Sequence, residues 1–303
     1  MPQPRPATND DLPQIIDLLD SIFRREKGIH DQSVFTDFPL LFSKDNLANC
    51  RVVERDGRIV SHAAVWPRSF RCAGKTIGVG IVVLVATEAE SRRRGLAAAL
   101  MRDLQTVMPQ LGCQLGLLWT GVPDFYRSLG WQTVNTPGWI ASGPGTGGEQ
   151  RLSVVDFLPE RHLDALHHLH RSQPAHSQRT IHESARLLTL PKCRILVGEL
   201  DGAAVAYLVE GRATNKRGLI EYAGDSQDVW ELVQHVAAEN APQRLLVFPT
   251  HPELAEMARK SGWSVEPLGS SKGFGDEMVL VLDEEVADPA ILENLFCWGL
   301  EQA

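Results

Sequence analysis

Nothing in these 303 residues runs apolar for the roughly 18 positions a membrane helix needs, so no part of the chain is expected to span or bind a bilayer. Cysteine is scarce and scattered. The five residues Cys50, Cys72, Cys113, Cys193 and Cys297 are odd in number and contain no C-x-x-C. That excludes a disulfide framework and a zinc site, and suits a reducing cytoplasm. The opening Met-Pro-Gln-Pro-Arg-Pro has no apolar stretch, so no secretory leader is expected and the expected location is cytoplasmic. A basic excess is also missing. The net charge is −8, which argues against a nucleic-acid partner. The charge is uneven: residues 1–148 hold 16 basic and 14 acidic side chains, the remainder 14 and 24. An acidic second half would draw a cationic substrate, or would simply keep the protein soluble.

What the chain does have is a 43% hydrophobic composition, enough for one large domain or two ordinary ones, arranged with clear periodicity. Thr8-Asn9-Asp10-Asp11 reads as a helix start, with Thr8 as cap and an acidic first turn, followed by Leu12, Ile15, Ile16, Leu19, Ile22 and Phe23 at helical spacing. Strands are predicted over Cys50–Arg55 and Ile59–Trp66 around an Asp56-Gly57 turn. An Ala73-Gly74-Lys75 turn then leads into the β-branched run Ile77–Val85. Gly95 opens a helix with Leu96, Leu100, Leu104, Val107 and Leu111 in register and Gly112 as its stop. A buried strand, Leu115–Trp119, and a short helix with Pro123 near its start complete this half.

Asn135 to Gln150 is dense in glycine and proline and has no apolar period, which marks a linker. The same order of signals then returns. Glu54-Arg55-Asp56-Gly57 resembles Glu199-Leu200-Asp201-Gly202, and Arg127-Ser128-Leu129-Gly130-Trp131 resembles Arg259-Lys260-Ser261-Gly262-Trp263. The expected layout is a first domain over 1–140, a linker over 141–150, a duplicated second domain over 151–283 and a tail over 284–303. Between its two anchors the second copy is about a dozen residues shorter, and it has no counterpart of the Arg-rich turn that follows Val85.

That turn carries the chemistry. A strand that hands over to a helix through Arg-x-x-Gly-x-Ala offers unpaired backbone N–H groups and the positive end of the helix dipole to an anion. Arg92, Arg93 and Arg94 add charge, Gly95 permits close backbone approach, and Ala97 leaves the path open. The bland alternative is a solvated basic patch at a strand end.

Val85-Ala86-Thr87-Glu88-Ala89-Glu90-Ser91-Arg92-Arg93-Arg94-Gly95-Leu96-Ala97 resembles the acetyl-CoA motif of GCN5-related N-acetyltransferases, the GNAT superfamily. Phe125-Tyr126-Arg127-Ser128-Leu129-Gly130-Trp131 resembles that family's second signature, a tyrosine helix ending in Gly-aromatic. The resemblance implies an α/β fold on mixed sheets, with two tandem GNAT-like domains, the first catalytic and the second degenerate. It implies acetyl transfer from acetyl-CoA, as co-substrate and without a metal, to a small cationic or peptide amine in a ternary complex. Val85, Ala86 and Thr87 would pair with the pantetheine arm, and Arg92, Arg93, Arg94, Gly95, Leu96 and Ala97 would hold the pyrophosphate. Tyr126 would protonate the departing thiolate, or would be a core tyrosine with a satisfied hydroxyl. The glutamate that family members often carry on the motif strand is absent from Ile77–Val85, which leaves Glu26 on the first helix, His62 on a central strand, or water alone as the base. The tandem layout also resembles the enhanced-intracellular-survival acetyltransferases. The 20 residues of 284–303 are too few for those enzymes' third, sterol-carrier-like domain. A homo-oligomer stays open. A non-catalytic acyl-CoA-binding protein is the rival reading.

Other motifs carry less. Ala73-Gly74-Lys75-Thr76 lacks the first glycine of a phosphate loop and reads as a hairpin turn. Gly269-Ser270-Ser271-Lys272-Gly273 lacks the strand and helix of a nucleophile elbow. His162, His167, His168 and His170 fall on a predicted helix and read as a solvated face.

Overall fold

The computed structural model describes residues 3–134, 138–145, 150–212, 216–239, 243–268, 276–292, 295 and 300. The chain opens with strand β1 (Arg5–Pro6) and helix α1 (Leu12–Phe23). Thr8 precedes a 3-10 turn, Asn9–Asp11, that leads into α1, and its N–H and Oγ1–H donate to Asp11 Oδ2 at 2.8 and 2.9 Å. A four-residue helix α2 (Val34–Asp37) follows, then β2 (Cys50–Arg55), β3 (Arg58–Cys72) and β4 (Lys75–Thr87). The Asp56-Gly57 and Ala73-Gly74 turns join them, all four residues at positive φ. Helix α3 (Leu96–Val107) stops four residues short of the expected Leu111. Pro109 cannot continue the hydrogen-bond ladder, so Met108–Leu111 winds as a 3-10 turn closed by Gly112. Then come β5 (Leu115–Thr120), α4 (Pro123–Arg127), β6 (Gln132–Thr133) and β7 (Trp139–Gly143).

The second half repeats the order. It runs β8 (Ser153–Asp156), α5 (Pro159–Ser172), β9 (His176–Ser177), α6 (Ile181–Leu187), β10 (Arg194–Leu200), β11 (Ala203–Arg212) and β12 (Lys216–Gly224). Helix α7 (Ser226–Glu239), β13 (Gln243–Val247), α8 (Pro252–Lys260), β14 (Ser264–Pro267), β15 (Asp276–Val281) and α9 (Pro289–Leu292) complete it. The Asp201-Gly202 turn has φ of 52° and 81°, against 52° and 75° at Asp56-Gly57. The duplicated hairpin is therefore the same turn twice. The Gly-Trp anchors also match: Trp131 N–H donates to Tyr126 O and Trp263 N–H to Ala258 O.

Two mixed sheets result, ordered β1-β2-β3-β4-β5-β15-β6, with β9 added to β3, and β14-β7-β13-β12-β11-β10-β8. They do not divide at the linker. Trp139–Gly143, which the sequence pattern assigns to the end of the first domain and the linker, is a strand of the second sheet, antiparallel to both β13 and β14. In return β15, from the far end of the chain, sits between β5 and β6 of the first sheet. Each half thus completes the other's sheet. A Cβ on Gly143 would lie 2.4 Å from Trp263, so glycine here is what lets the exchanged strand pass under that ring. The Gly/Pro density that signals a linker is partly the requirement of this strand.

Helix α3 packs on one face of the first sheet through Leu96, Leu100, Met101 and Leu104, and α7 packs on the second sheet through Val229, Leu232, Val233 and Val236. A third apolar cluster joins the sheets: Ile15 and Leu19 of α1, Trp66 and Phe70 of β3, Leu166 of α5, Val197 of β10 and Tyr207 of β11. Two polar contacts cross it. Arg68 pairs with Glu183, and Arg179 forks onto Glu221 at 2.8 and 2.9 Å with both side chains almost fully buried. The tail joins the same cluster through Val286, Ile291, Leu295 and Leu300, and Leu300 N–H donates to Glu221 Oε2 at 3.4 Å. The predicted solvated histidine face is not one. His162 and His170 are 2% and 1% exposed, because they lie eight residues apart on the buried side of α5. His162 Nε2 meets Glu199 at 3.1 Å, and His170 Nε2 meets Ser177 O at 3.0 Å. The Gly269–Gly273 motif lies outside the described residues.

Candidate active site

The first half opens a cleft where two parallel strands part. β4 and β5 pair at Val79–Leu115, Gly80–Gly116 and Ile81–Leu117 and no further, while β4 runs on to Thr87 and β5 to Thr120. Beyond Ile81 the β5-facing edge of β4, which includes Val85, Ala86 and Thr87, has no strand partner among the described residues. A bare edge of this kind accepts an extended ligand as an added strand.

The same stretch of β4 is bulged. Ala64 pairs with Val83 and His62 with Ala86, so Leu84 and Val85 together oppose Ala63, and Leu84 takes φ of 53°. Three groups of β3 hold this distortion. His62 Nδ1–H donates to Leu84 O at 2.8 Å, Ser61 Oγ–H donates to Ala86 O at 2.9 Å, and Val60 O accepts from Glu88 N–H. His62 is fully buried, and burial pushes its imidazole down to about 4, against the hydrogen bond to Leu84. It is neutral at pH 7, with Nε2 unpartnered among the described residues.

After Thr87 the chain turns through a short 3-10 segment into α3. Arg92 Nε–H donates back to Thr87 O at 3.0 Å. Arg93 and Arg94 are exposed and without an ion pair among the described residues. Arg93 and Gly95 both take positive φ, 59° and 77°. The first helical hydrogen bond runs from Ala99 N–H to Gly95 O, which leaves the N–H groups of Leu96, Ala97 and Ala98 without helical partners. Nothing lies within 4 Å of where a Gly95 side chain would begin. Open space, free N–H groups and uncompensated arginines thus meet at one helix end, the composition of an anion site.

Across the cleft, β5 ends at Thr120 and Pro123 starts α4. Tyr126 is 7% exposed, edge-on to Phe125 at 4.9 Å and to Trp131 at 6.3 Å. Burial pushes its hydroxyl up to about 12, against a hydrogen bond with Thr120, so it keeps its proton at any ordinary pH. Thr120, which no sequence motif signals, also accepts from Val122 N–H at 3.0 Å. Glu26 does not lie on the first helix. α1 ends at Phe23, and Glu26 is exposed on the following 3-10 turn, Arg25–Lys27. Among the described residues no group of three or more His, Cys, Asp or Glu is placed to hold a metal ion. No helix among them is long and apolar enough to cross a membrane.

The matching place in the second half has diverged. β12 and β13 share only the Leu219–Leu245 pair, so they also part. However, eight residues separate β4 from α3, and only Asp225 separates β12 from α7. The Arg-rich turn has gone, and Ala258 stands where Tyr126 does.

Residues 3–134 match the family model described as an acetyltransferase (GNAT) domain. That match ends before β7 and so leaves out β15, the strand that completes the sheet. Solved structures share the fold over nearly the whole chain. A GCN5-related N-acetyltransferase from Kribbella flavida aligns with a TM-score of 0.66 at 16% identity, over 95% of this chain and 72% of that one. One from Anabaena variabilis gives 0.66 at 13%, over 93% and 73%. Eis1 from Mycobacterium abscessus gives 0.61 at 13%, over 96% and 81%. No curated protein matches. The fold is therefore two tandem GNAT-like halves on mixed sheets, the second lacking the motif residues of the first.

Proposed function

We propose that this chain, whose residues 3–134 match the GNAT acetyltransferase domain model, transfers an acetyl group from acetyl-CoA to an amine in a ternary complex. The observation that carries this is the meeting of a bare β4 edge with the open, arginine-flanked N-terminus of α3. The first is where a pantetheine arm would pair as an added strand, and the second is where a pyrophosphate would meet free N–H groups.

In this mechanism the backbone of Val85, Ala86 and Thr87 binds the pantetheine amides, and the bulge at Leu84 turns β4 toward the thioester. Arg92, Arg93 and Arg94 with the N–H groups from Gly95 to Ala97 hold the pyrophosphate. The amine nitrogen attacks the thioester carbonyl carbon, the C–S bond breaks, and Tyr126 gives its hydroxyl proton to the departing thiolate. A hydroxyl whose pKa is near 12 is a reluctant acid in water, but burial keeps it protonated and keeps solvent from competing for the proton transfer. Glu26, exposed and hydrated, takes the amine's proton through water. The acceptor is a small cationic or peptide amine, in keeping with the acidic second half.

The test is release of free CoA thiol from acetyl-CoA in the presence of polyamines, aminoglycosides and lysyl peptides. Amine-dependent release supports acetyl transfer; acetyl-CoA binding without release to any amine leaves a binding protein and overturns it. With the reacting amine in hand, Glu26→Gln should lower kcat about 100-fold. An unchanged kcat removes Glu26 from the mechanism.

A further inference from the structure

Two costs meet at the β4 bulge, one in the backbone of Leu84 and one in the ring that holds it. The φ of 53° at Leu84 lies in the left-handed region, which a leucine enters only under constraint. His62 is fully buried with Phe42 beside it, the ring centroids 6.5 Å apart. Only one of its ring nitrogens is satisfied. Nδ1 bonds to Leu84 O at 2.8 Å, while Nε2 is closed off from solvent and unpartnered among the described residues. A leucine at position 62 would fill the same space without orphaning a nitrogen. A half-satisfied imidazole is a poor core filler, so what this position supplies is the bond to Leu84 O.

The direction of that bond bears on the cleft. Leu84 O can only accept, and the ring is neutral at pH 7, so its single proton sits on Nδ1. In a trans peptide the N–H points opposite to the C=O. With Leu84 O held against β3, the N–H of Val85 points away from β3, toward the edge of β4 that β5 leaves bare beyond Ile81. Val85 pairs with no residue of β3 or β5, so neither ladder claims that N–H. Ser61 holds Ala86 O from the same side, which directs the Thr87 N–H to the same edge. The strain at Leu84 and the orphaned Nε2 thus serve one result: a backbone donor turned out of the sheet where the two strands part.

We propose that His62 is a positioning residue for acetyl transfer, which through Leu84 O aims the Val85 N–H at the thioester carbonyl oxygen of bound acetyl-CoA. There the N–H meets the negative charge that gathers on oxygen as the C–N bond forms and the carbonyl π pair moves onto it. His62 itself touches neither substrate and moves no proton. The proposal rests on the acetyl-CoA reading of the cleft.

The test uses acetyl-CoA labelled with carbon-13 at the carbonyl, and the full chain unaltered or carrying His62→Leu or His62→Asn. Leucine fills the ring's space and removes the donor; asparagine keeps an N–H close to the place of Nδ1. Difference infrared spectra read the thioester carbonyl stretch of the bound cofactor and calorimetry reads its affinity, and neither needs turnover. The stretch should fall to lower wavenumber on binding to the unaltered protein and to His62→Asn, and stay at its free value in His62→Leu, with similar affinities in all three. With a reacting amine, His62→Leu should lower kcat about 100-fold and leave the KM for acetyl-CoA unchanged, and His62→Asn should recover most of the loss. A histidine that only fills the core would shift a urea melt and leave the stretch and kcat of the folded variants alone, which would overturn the proposal. The unaltered protein can refute it without any variant, if bound acetyl-CoA shows an unshifted stretch. Acetyl-CoA bound with equal spectra in all three proteins overturns this role alone and leaves the cleft reading standing; no binding to the unaltered protein overturns both.

Discussion

Replacing Tyr126 by phenylalanine separates the two roles its position allows. The ring is held by Phe125 and Trp131 and stays; only the hydroxyl and its hydrogen bond with Thr120 are lost. Thr120 still accepts from Val122 N–H, so the deletion leaves no buried group orphaned on that side. The stability cost should then be that of one ordinary hydrogen bond, about 1 kcal/mol. A general acid contributes about 100-fold or more, equal to about 2.7 kcal/mol of barrier. The expected result of Tyr126→Phe is therefore a kcat down about 100-fold, an unchanged KM for acetyl-CoA and a urea midpoint shifted only slightly. The assay is thiol release with whichever amine reacts, alongside a denaturation curve. A variant that loses the expected stability yet keeps kcat within a few-fold would make Tyr126 a core tyrosine and refute the assignment.

Two further outcomes follow from the packing. Met278 of β15 is fully buried in the cluster under α3, so Met278→Asp should cost about 3 kcal/mol or more and abolish acetyl-CoA binding, although it lies far outside the matched domain. Exposed Asp276→Asn on the same strand should do neither, by urea melts and calorimetry. His62 binds a proton at about 4 when folded and near 6.5 when unfolded, so its contribution to stability is complete above 6.5 and is lost as pH falls from 6.5 towards 4. The difference amounts to about 3 kcal/mol, and His62→Gln should remove that share of the acid slope; His251, depressed in the same window, contributes a further share.

The elements were legible wherever periodicity was strong and local. The β2–β3 and β3–β4 hairpins, α3 and the Arg92–Ala97 turn all lie where their residues predict them, because turn glycines and helical spacing act over a few positions. The duplication was legible for the same reason, as one turn and one Gly-Trp anchor occurring twice. The strand exchange was not. Trp139–Gly143 and Asp276–Val281 are short, and nothing in a five- or six-residue strand records which of two similar sheets it joins. The bulge at Leu84 escaped as well, since its positive φ falls on a leucine and is held from β3 by His62 and Ser61. His162 and His170 form no solvated face because their eight-residue spacing puts both on the buried side of α5, which composition alone does not reveal. Thr120 could have been found as the polar residue closing an otherwise apolar strand just before the tyrosine helix.

The most direct test of the acetyl-CoA site is calorimetric titration of acetyl-CoA into the unaltered protein and into Gly95→Glu. With φ at 77° and open space around the position, glutamate there should cost about 1 kcal/mol of folding and leave the chain folded. Its carboxylate would stand before the free N–H groups of α3 and repel a pyrophosphate. Micromolar binding to the unaltered protein, abolished in a folded variant, is the predicted result. Equal affinity in both, or no binding to the unaltered protein, would contradict it.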